Sequence, residues 1–486
     1  MSKQRRQQKH RSNTAGPPAP WGTLPTELLV AILGHLTLEE RHRAAVCVSK
    51  QWHDACYTPA LLCKLIIGRG WNDDDSWGLP RLEALCAWLV RRRPVQHADS
   101  VWLSLFLPTS TNHEEPAEEL SQAAVQERET LAACMAAVSA TASSRLRSLE
   151  LFADCTVLTT AGWPPGLTAL TSLSLGNSSG RLSLSPELRS LRGVLDLELY
   201  AMEGIEEEHN LPPGVTRLSW DELAGFELPY QLSSLRHLRF LEVSCWKMQP
   251  GDFGALAELT SLRHLMLTNA CLPDSLYRLT WLRSLHMDAF ERQQGLLPGL
   301  EGTLPALQQL TALALGDVPL WRPGLVAALG ALPHLHRLSL ASAWRGYSGR
   351  LHGGKRTLPP ADMPAPAFLG RLTWLGLDAD LLVRNPHLLA AATQLQHLWL
   401  LGDGLQRGAY SQPWRRLMKL VRQHPRLRSV SLRPSHDSCG YVEPVVTCSQ
   451  RRDLEALQRT HPHLTFNDYP ATPMSLDDLW LPFFAE

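Results

Sequence analysis

The chain has 486 residues, 44% of them apolar and 19% charged, and its Lys plus Arg (47) match its Asp plus Glu (47) for a formal net charge of zero. That balance excludes the broad positive field of a nucleic-acid coat and the acidity of a histone-binding protein. No apolar run reaches the roughly eighteen residues of a membrane span, and the N-terminus MSKQRRQQKHRSNTAGPPAP lacks the apolar core of a secretory signal. Ten cysteines run from Cys47 to Cys448 without CxxC or paired spacing, the usage of reduced thiols in the cytoplasm or nucleus.

Residues 1–22 are basic and then Gly/Pro-rich, the composition of a disordered tail. The pattern changes over residues 23–63. Pro25 suits a helix start, and Leu28, Leu29, Ile32, Leu33 and Leu36 then fall on one stripe at helical spacing. A second helix is predicted from Leu38, with Glu39 and Glu40 early, where negative charge is favoured. A third is predicted near Ser49, a suitable N-cap, and carries Trp52. Three short helices bury too little apolar surface to stand alone, so the segment needs a partner or a neighbouring domain against it.

This stretch resembles an F-box. Leu24-Pro25, Glu27-Leu28-Leu29, Ile32-Leu33 with Leu36, and the closing Val48-Ser49-Lys50 with Trp52 match the family's order and spacing. It departs at Leu38-Glu39-Glu40-Arg41, where the family opens its second helix on an acidic residue and a leucine, and at His42, near a usually apolar position. The resemblance implies docking on the Skp1-type adaptor of a cullin–RING ubiquitin ligase. The implied contact residues are Leu24, Pro25, Leu28, Leu29, Ile32, Leu33, Val48 and Trp52.

Residues 64–145 read as a linker and N-terminal cap. Asp73–Asp75, between Gly70 and Gly78, form a solvated loop without the spacing of a calcium site. RLEALCAWLVRRR from Arg81 predicts a helix, with Leu82, Leu85, Trp88 and Leu89 on one face and Arg91–Arg93 at its C-terminus. SVWLSLFLP from Ser100 predicts a strand, an irregular first repeat, and the alanine-rich segment from Pro116 predicts a helix.

From Leu146 the spacing Leu-x-x-Leu-x-Leu, with an occasional valine or aromatic, returns twelve times. The copies start at Leu146, Leu170, Val194, Val215, Leu235, Leu262, Leu282, Leu310, Leu335, Leu372, Leu395 and Leu427, at intervals of 20 to 37 residues. Such a period marks leucine-rich repeats, and because no copy can bury its own apolar side, the copies must stack. The expected fold is an α/β solenoid: a leucine-rich repeat horseshoe of about 12 repeats over residues 146–466, with short parallel strands and mixed helical and 3₁₀ returns, preceded by the small three-helix F-box-like domain. Leu-Pro returns at Leu228, Leu272 and Leu304 predict 3₁₀ starts, and those at Leu325, Leu388 and Trp414 predict helices.

Family repeats usually carry Asn or Cys three residues after the second strand leucine. Here that position holds Asp154, Ser178, Met202, Leu223, Val243, Ala270, Phe290, Val318, Ala343, Asp380 and Asp403, which predicts uneven curvature and local breaks. Insertions are expected near 344–367 and 401–413, and a C-terminal cap or tail over 467–486. Gly349, Gly354 and Lys355 have Walker-like spacing, but Arg356 replaces the magnesium-holding Ser/Thr and no strand leads in, so nucleotide binding is not expected.

Residues between the strand leucines face the concave surface, by the two-residue period of a strand. The candidate substrate face carries Phe152, Asp196, Glu198, Tyr200 and Asp221, then Arg239, His264 and His286, then Arg337, Trp374 and Trp399. It is acidic at one end, with exposed aromatics further on, the anchors typical of protein interfaces. His237, His264 and His286 lie close in this scheme, but no cysteine or carboxylate completes a tetrahedral metal set. GxSxG, HExxH and a glycine fingerprint after a strand are all absent.

The expected function is therefore that of a non-enzymatic adaptor without cofactor or metal. Its F-box-like module binds the Skp1-type adaptor and its concave face a protein substrate, with no membrane or nucleic-acid partner and a monomeric chain outside the complex. The alternative is a scaffold or regulatory repeat protein independent of ubiquitination, in which residues 23–63 merely cap the solenoid. The two differ in whether Leu24, Leu28 and Ile32 are exposed or packed on residues 64–100.

Overall fold

The structure is a computed structural model. It describes residues 24–468 apart from 37, 44, 68–78, 106–121, 142–144, 154–156, 160–166, 178–180, 202–204, 207, 225–227, 229, 247–249, 269–271, 289–295, 317–322, 341–363, 379–380, 383–384, 402–411 and 434–447. The basic tail, Asp73–Asp75, the Walker-like glycines, nearly all of both predicted insertions and the tail after Asp468 lie outside the described residues. The chain divides into two compact units, residues 1–154 with 162–170, and residues 155–161 with 171–486.

The first unit opens with four short helices: α1 (Thr26–Leu33), α2 (Leu38–Arg43), α3 (Lys50–Cys56) and α4 (Pro59–Leu62). Pro25 is the N-cap of α1, and Ser49 caps α3, its hydroxyl accepting the Trp52 N–H at 3.3 Å. Leu29, Leu33, Ala45, Ala55, Cys56 and Leu61 form the core, with Leu24, Leu36, Val46, Trp52 and Tyr57 packed around it. Two polar ties cross this core. Gln51 Nε2 donates to the Leu24 carbonyl at 2.7 Å, and the buried Arg41 donates through Nη1 to the Leu61 carbonyl at 3.0 Å. Burial lowers the Arg41 pKa, with Cys56 and Cys63 opposing.

The ladder begins upstream of Leu146. Helix α4 ends on Leu62, and Leu62, Leu65 and Ile67 repeat the motif spacing with all three side chains buried. Strand β1 (Lys64–Ile67) pairs in parallel with β2 (Ser100–Leu105), and β2 with β3 (Ser148–Ala153). Helices α5 (Leu79–Arg92) and α6 (Gln122–Thr141) are the returns between them. The stretch expected as linker and cap is thus two repeats with long helical returns.

In the second unit, twelve parallel strands form one sheet among the described residues, in chain order apart from three short strands set aside. They are β5 (Ser172–Asn177), β7 (Asp196–Ala201), β9 (Arg217–Ala224), β10 (Phe240–Trp246), β11 (His264–Thr268), β12 (Ser284–Asp288), β13 (Ala312–Leu315), β14 (Arg337–Ser339), β15 (Trp374–Asp378), β16 (His397–Leu401), β17 (Ser429–Arg433) and β18 (Thr465–Asp468). The short strands β4 (Val157–Thr159), β6 (Arg181–Ser183) and β8 (Ile205–Glu206) make a second parallel sheet that the motif spacing did not announce. Leu173, Leu197, Leu218, Leu241, Leu265, Leu285, Leu313, Leu338, Leu375 and Leu398 lie in one register row, all buried. This stacking of one leucine-bearing strand per turn is a leucine-rich repeat solenoid.

The returns follow their sequences. Tyr230–Ser234, Leu276–Arg278 and Leu304–Ala306 are 3₁₀ turns after the Leu-Pro starts, while Pro323–Gly330, His387–Ala391 and Gln412–Gln423 are helices. One copy is out of phase with the sequence expectation. Leu241 pairs with Leu218 and Leu265, so this turn reads Leu238-Arg-Phe-Leu241-Glu-Val243 rather than starting at Leu235. Val243 thereby becomes a core position. The expected local breaks reduce, among the described residues, to one irregularity between Val243 and Cys245.

The turns are stitched by backbone. The Arg239 carbonyl accepts the N–H of Arg263 at 2.8 Å and of His264 at 2.9 Å, and the Arg263 carbonyl accepts those of Arg283 at 2.8 Å and Ser284 at 3.0 Å. The pattern repeats at Thr171, Leu195, Thr216, Arg283, Thr311, His336, Thr373 and Gln396.

Packing also sorts the thiols. Cys47 and Cys63 are exposed and Cys56 and Cys134 buried; burial raises the Cys56 pKa and pushes Cys134 up to about 12, with the Cys86 thiol adding to the shift. Iodoacetamide near neutral pH is therefore expected to alkylate Cys47 and Cys63 in the native chain and to reach Cys56 and Cys134 only after denaturant. Peptide mass spectrometry reads the order; early labelling of Cys134 would contradict this packing.

Candidate functional site

The α1 stripe of the first unit divides into two columns, because neighbouring residues on a helix lie about 100° apart. Leu29 and Leu33 turn inward and are fully buried, whereas Leu28 is 52% and Ile32 42% exposed. Val48, in the turn ahead of α3, is 55% exposed, and Pro25 is exposed at the head of α1. Leu24 and Trp52 are half-buried against the core. Of the eight residues expected to dock, Leu29 and Leu33 are therefore corrected to core positions: filling the interior leaves them no surface. Pro25, Leu28, Ile32 and Val48 remain as exposed apolar residues of one small module.

Phe152 is half-buried on β3. Glu150, two residues earlier and so on the same strand face, has its carboxyl pushed up by burial, with Lys64 opposing.

In the second unit the register sorts the candidate face into rows. Asp196, Arg217, Phe240, His264, Ser284, Ala312, Arg337, Trp374 and His397 share one row. Glu198, Ser219, Glu242, Met266, His286, Ala314, Ser339, Gly376 and Trp399 share the next. Tyr200 and Asp221 pair in a third. Arg239 is not on this face. The corrected phase moves it to the edge where the strands begin and puts Glu242 in its place, with Phe240 beside His264 in the row where His237 was expected.

The face is compensated from within. Arg217 Nε lies 3.7 Å from Asp196 Oδ1, and the same guanidinium sits 4.3 Å above the Phe240 ring. Phe240 in turn lies 6.3 Å from the His264 ring. Ser219 donates to Glu242 Oε2 at 3.2 Å. At the other end Trp374 and Trp399 meet edge to face at 4.6 Å, and each is only 5% exposed. A Cβ on Gly376 would stand 3.0 Å from the Trp374 ring, so glycine is what lets that indole lie across the row. His397 shares a 2.7 Å hydrogen bond with the Ser429 hydroxyl, and burial, then Arg428 and Arg337, lower its pKa.

The exposed aromatic anchors expected here are thus buried packing residues, since Trp374 and Trp399 cover each other and the small side chains beside them. His286 is likewise buried, 2% exposed. Asp196, Glu198, Tyr200, Asp221, His264 and Arg337 keep partial exposure. His264 and His286 fall in different rows and His237 in the preceding turn; no group of three His, Cys, Asp or Glu able to hold a metal occurs among the described residues. Phe240 was hidden by the phase error at Leu235, whereas Arg217 lies in a copy whose phase is as expected, in the row of Asp196 and His264.

An F-box-like family model matches residues 21–66, so the helical module is an F-box-like domain, and the match runs into β1. No curated protein matches the chain. Among solved structures, an internalin (inlF) from Listeria monocytogenes is similar at 14% identity, covering 81% of this chain and 95% of that one, with a TM-score of 0.36.

Complete burial pulls the His286 pKa from 6.5 down to about 3. Between those values the unfolded chain holds a proton that the folded chain does not, so native stability falls as pH drops below the unfolded pKa. The expected slope from this residue approaches about 1.4 kcal/mol per pH unit. Urea unfolding of the wild type and His286→Leu across this range measures it; equal pH slopes for the two proteins would refute the burial.

Proposed function

We propose that the chain is the substrate-recognition subunit of a Skp1–cullin–F-box ubiquitin ligase. The observation that carries this reading is the exposure of Leu28, Ile32 and Val48, large apolar side chains of an F-box-like domain. A domain of this size that spends two columns of one helix on leucine and isoleucine, and hides only one, presents the other for a partner. Were the module merely a cap on the solenoid, Leu28 and Ile32 would be covered by the chain's own repeats.

The contribution of such a subunit is proximity rather than chemistry. The F-box-like domain holds the Skp1-type adaptor, and the repeats hold a protein substrate, raising the substrate's effective concentration near a separate ubiquitin-loading module. This role places the protein in the cytoplasm or nucleus, where its thiols stay reduced.

Because Leu28 and Ile32 are exposed, charges there leave the fold intact. Leu28→Asp with Ile32→Asp is expected to weaken capture of a purified Skp1-type adaptor by about a hundredfold or more, with an unchanged circular dichroism spectrum. Leu29→Ala, one residue away but in the core, is expected instead to lower stability by about 2–4 kcal/mol. Undiminished adaptor capture by the double variant would sink the proposal.

A further inference from the structure

The backbone stitch fixes where the side chains just ahead of each strand stand. Arg239, Arg263 and Arg283 occupy that position on three successive turns, with Arg263 N–H bonded to the Arg239 carbonyl and Arg283 N–H to the Arg263 carbonyl, each at 2.8 Å. Their backbones are therefore about 4.8 Å apart. Arg236 and His237 precede them on the first of these turns, both exposed. Arg239 and Arg283 are exposed, and Arg263 is held by its Nη1 donating to the carbonyls of Thr260 at 3.0 Å and Leu262 at 2.9 Å. Among the described residues none of these arginines has a carboxylate partner.

The acidic groups nearby are engaged elsewhere. Glu242 is buried and takes the Ser219 hydroxyl, Asp196 pairs with Arg217, and the charge of Glu258 acts on Arg278. Like charges on residues of adjacent turns repel one another.

We propose that the strand-entry edge of β10–β12, built on Arg239, Arg263 and Arg283, is a docking surface for an Asp/Glu-rich segment of a partner protein. An extended peptide lying across the turns places alternate side chains on one side at roughly 7 Å intervals, within reach of successive long arginines. Nucleic acid fits less well. The chain carries no net positive charge, and a stripe three cations wide neutralises too few phosphates to hold a strand at physiological salt. The surface makes no use of the adaptor; it rests on the ligase reading only for calling the bound segment a substrate.

Fluorescence anisotropy of the full chain with a labelled peptide of alternating Glu and Ser tests this. Binding is expected to weaken with salt and to fall about tenfold or more in Arg239→Glu with Arg283→Glu. Arg428→Glu, at the same edge position on a distant turn, is expected to leave it unchanged, and circular dichroism checks that the variants fold. Equal binding by wild type and the double variant, equal loss with Arg428→Glu, or tighter binding of oligouridylate than of the peptide would overturn the proposal. Leu28→Asp with Ile32→Asp should bind the peptide like wild type. If the wild-type chain fails to capture the Skp1-type adaptor yet binds the peptide through Arg239 and Arg283, the ligase reading falls and this surface stands; the converse result separates them the other way.

Discussion

The carbonyl ahead of each strand accepts two N–H groups from the next turn, and the rest of the solenoid depends on that bond pair. It occurs at Thr216, Arg239, Arg263, Arg283, Thr311, His336, Thr373 and Gln396, with N···O distances between 2.7 and 3.2 Å. Two bonds to one acceptor leave no freedom to slip by a residue, and a slip of one would turn every leucine outward. The register therefore stays in step over twelve strands although the usual Asn or Cys position is degenerate. Since the stitch is made by backbone, the side chains at those positions carry no structural duty beyond local help. Thr216, Thr311 and Thr373 each add a hydroxyl bond to the carbonyl they neighbour; Arg239 and Arg283 face solvent.

The same bond pair starts inside the first unit. The Cys63 carbonyl accepts from Asp99 and Ser100, and that of Asp99 from Arg147 and Ser148. Cys63 follows directly on α4, so the helical module runs into the first repeat with no linker between them. Arg41 reinforces the junction by binding the Leu61 carbonyl from α2. A buried guanidinium is expensive to desolvate, and its bond to the Leu61 carbonyl ties α2 to the end of α4, where the first repeat begins. Within this unit, whatever holds Leu28 and Ile32 also positions the first strands.

Much of this was legible in the sequence because it depended on short-range rules. Ser49 three residues before Trp52, the Leu-Pro returns, and the helical returns at Leu325, Leu388 and Trp414 each form as local chemistry dictates. The phase at Leu235 failed because Leu235, Leu238 and Leu241 satisfy the spacing twice. Interval length would have decided it: starting at Leu238 gives steps of 23 and 24 residues in place of 20 and 27. The strand from Ser100 was legible as an irregular first repeat, but the rung before it, Leu62-x-x-Leu65-x-Ile67, was not, because it follows directly on a helix and is separated from the next by a long helical return. The burial of Trp374, Trp399 and His286 was not legible at all. Strand alternation gives the side of the sheet on which a residue lies, while its exposure depends on neighbours that are far away in sequence, such as Gly376 beneath Trp374.

Face and edge of the solenoid then differ in what they can offer a partner. On the face, a ligand that engages Asp196 must first compete with Arg217, and one that engages Arg217 must displace it from Phe240; such exchanged contacts contribute little net affinity. The Trp374–Trp399 pair is already desolvated by its own packing, so covering it again removes little water. At the edge Arg239 and Arg283 are exposed and without a carboxylate partner among the described residues, and an incoming carboxylate adds attraction there. Interaction energy on this surface is therefore expected to concentrate at the edge, where the backbone alone sets the geometry.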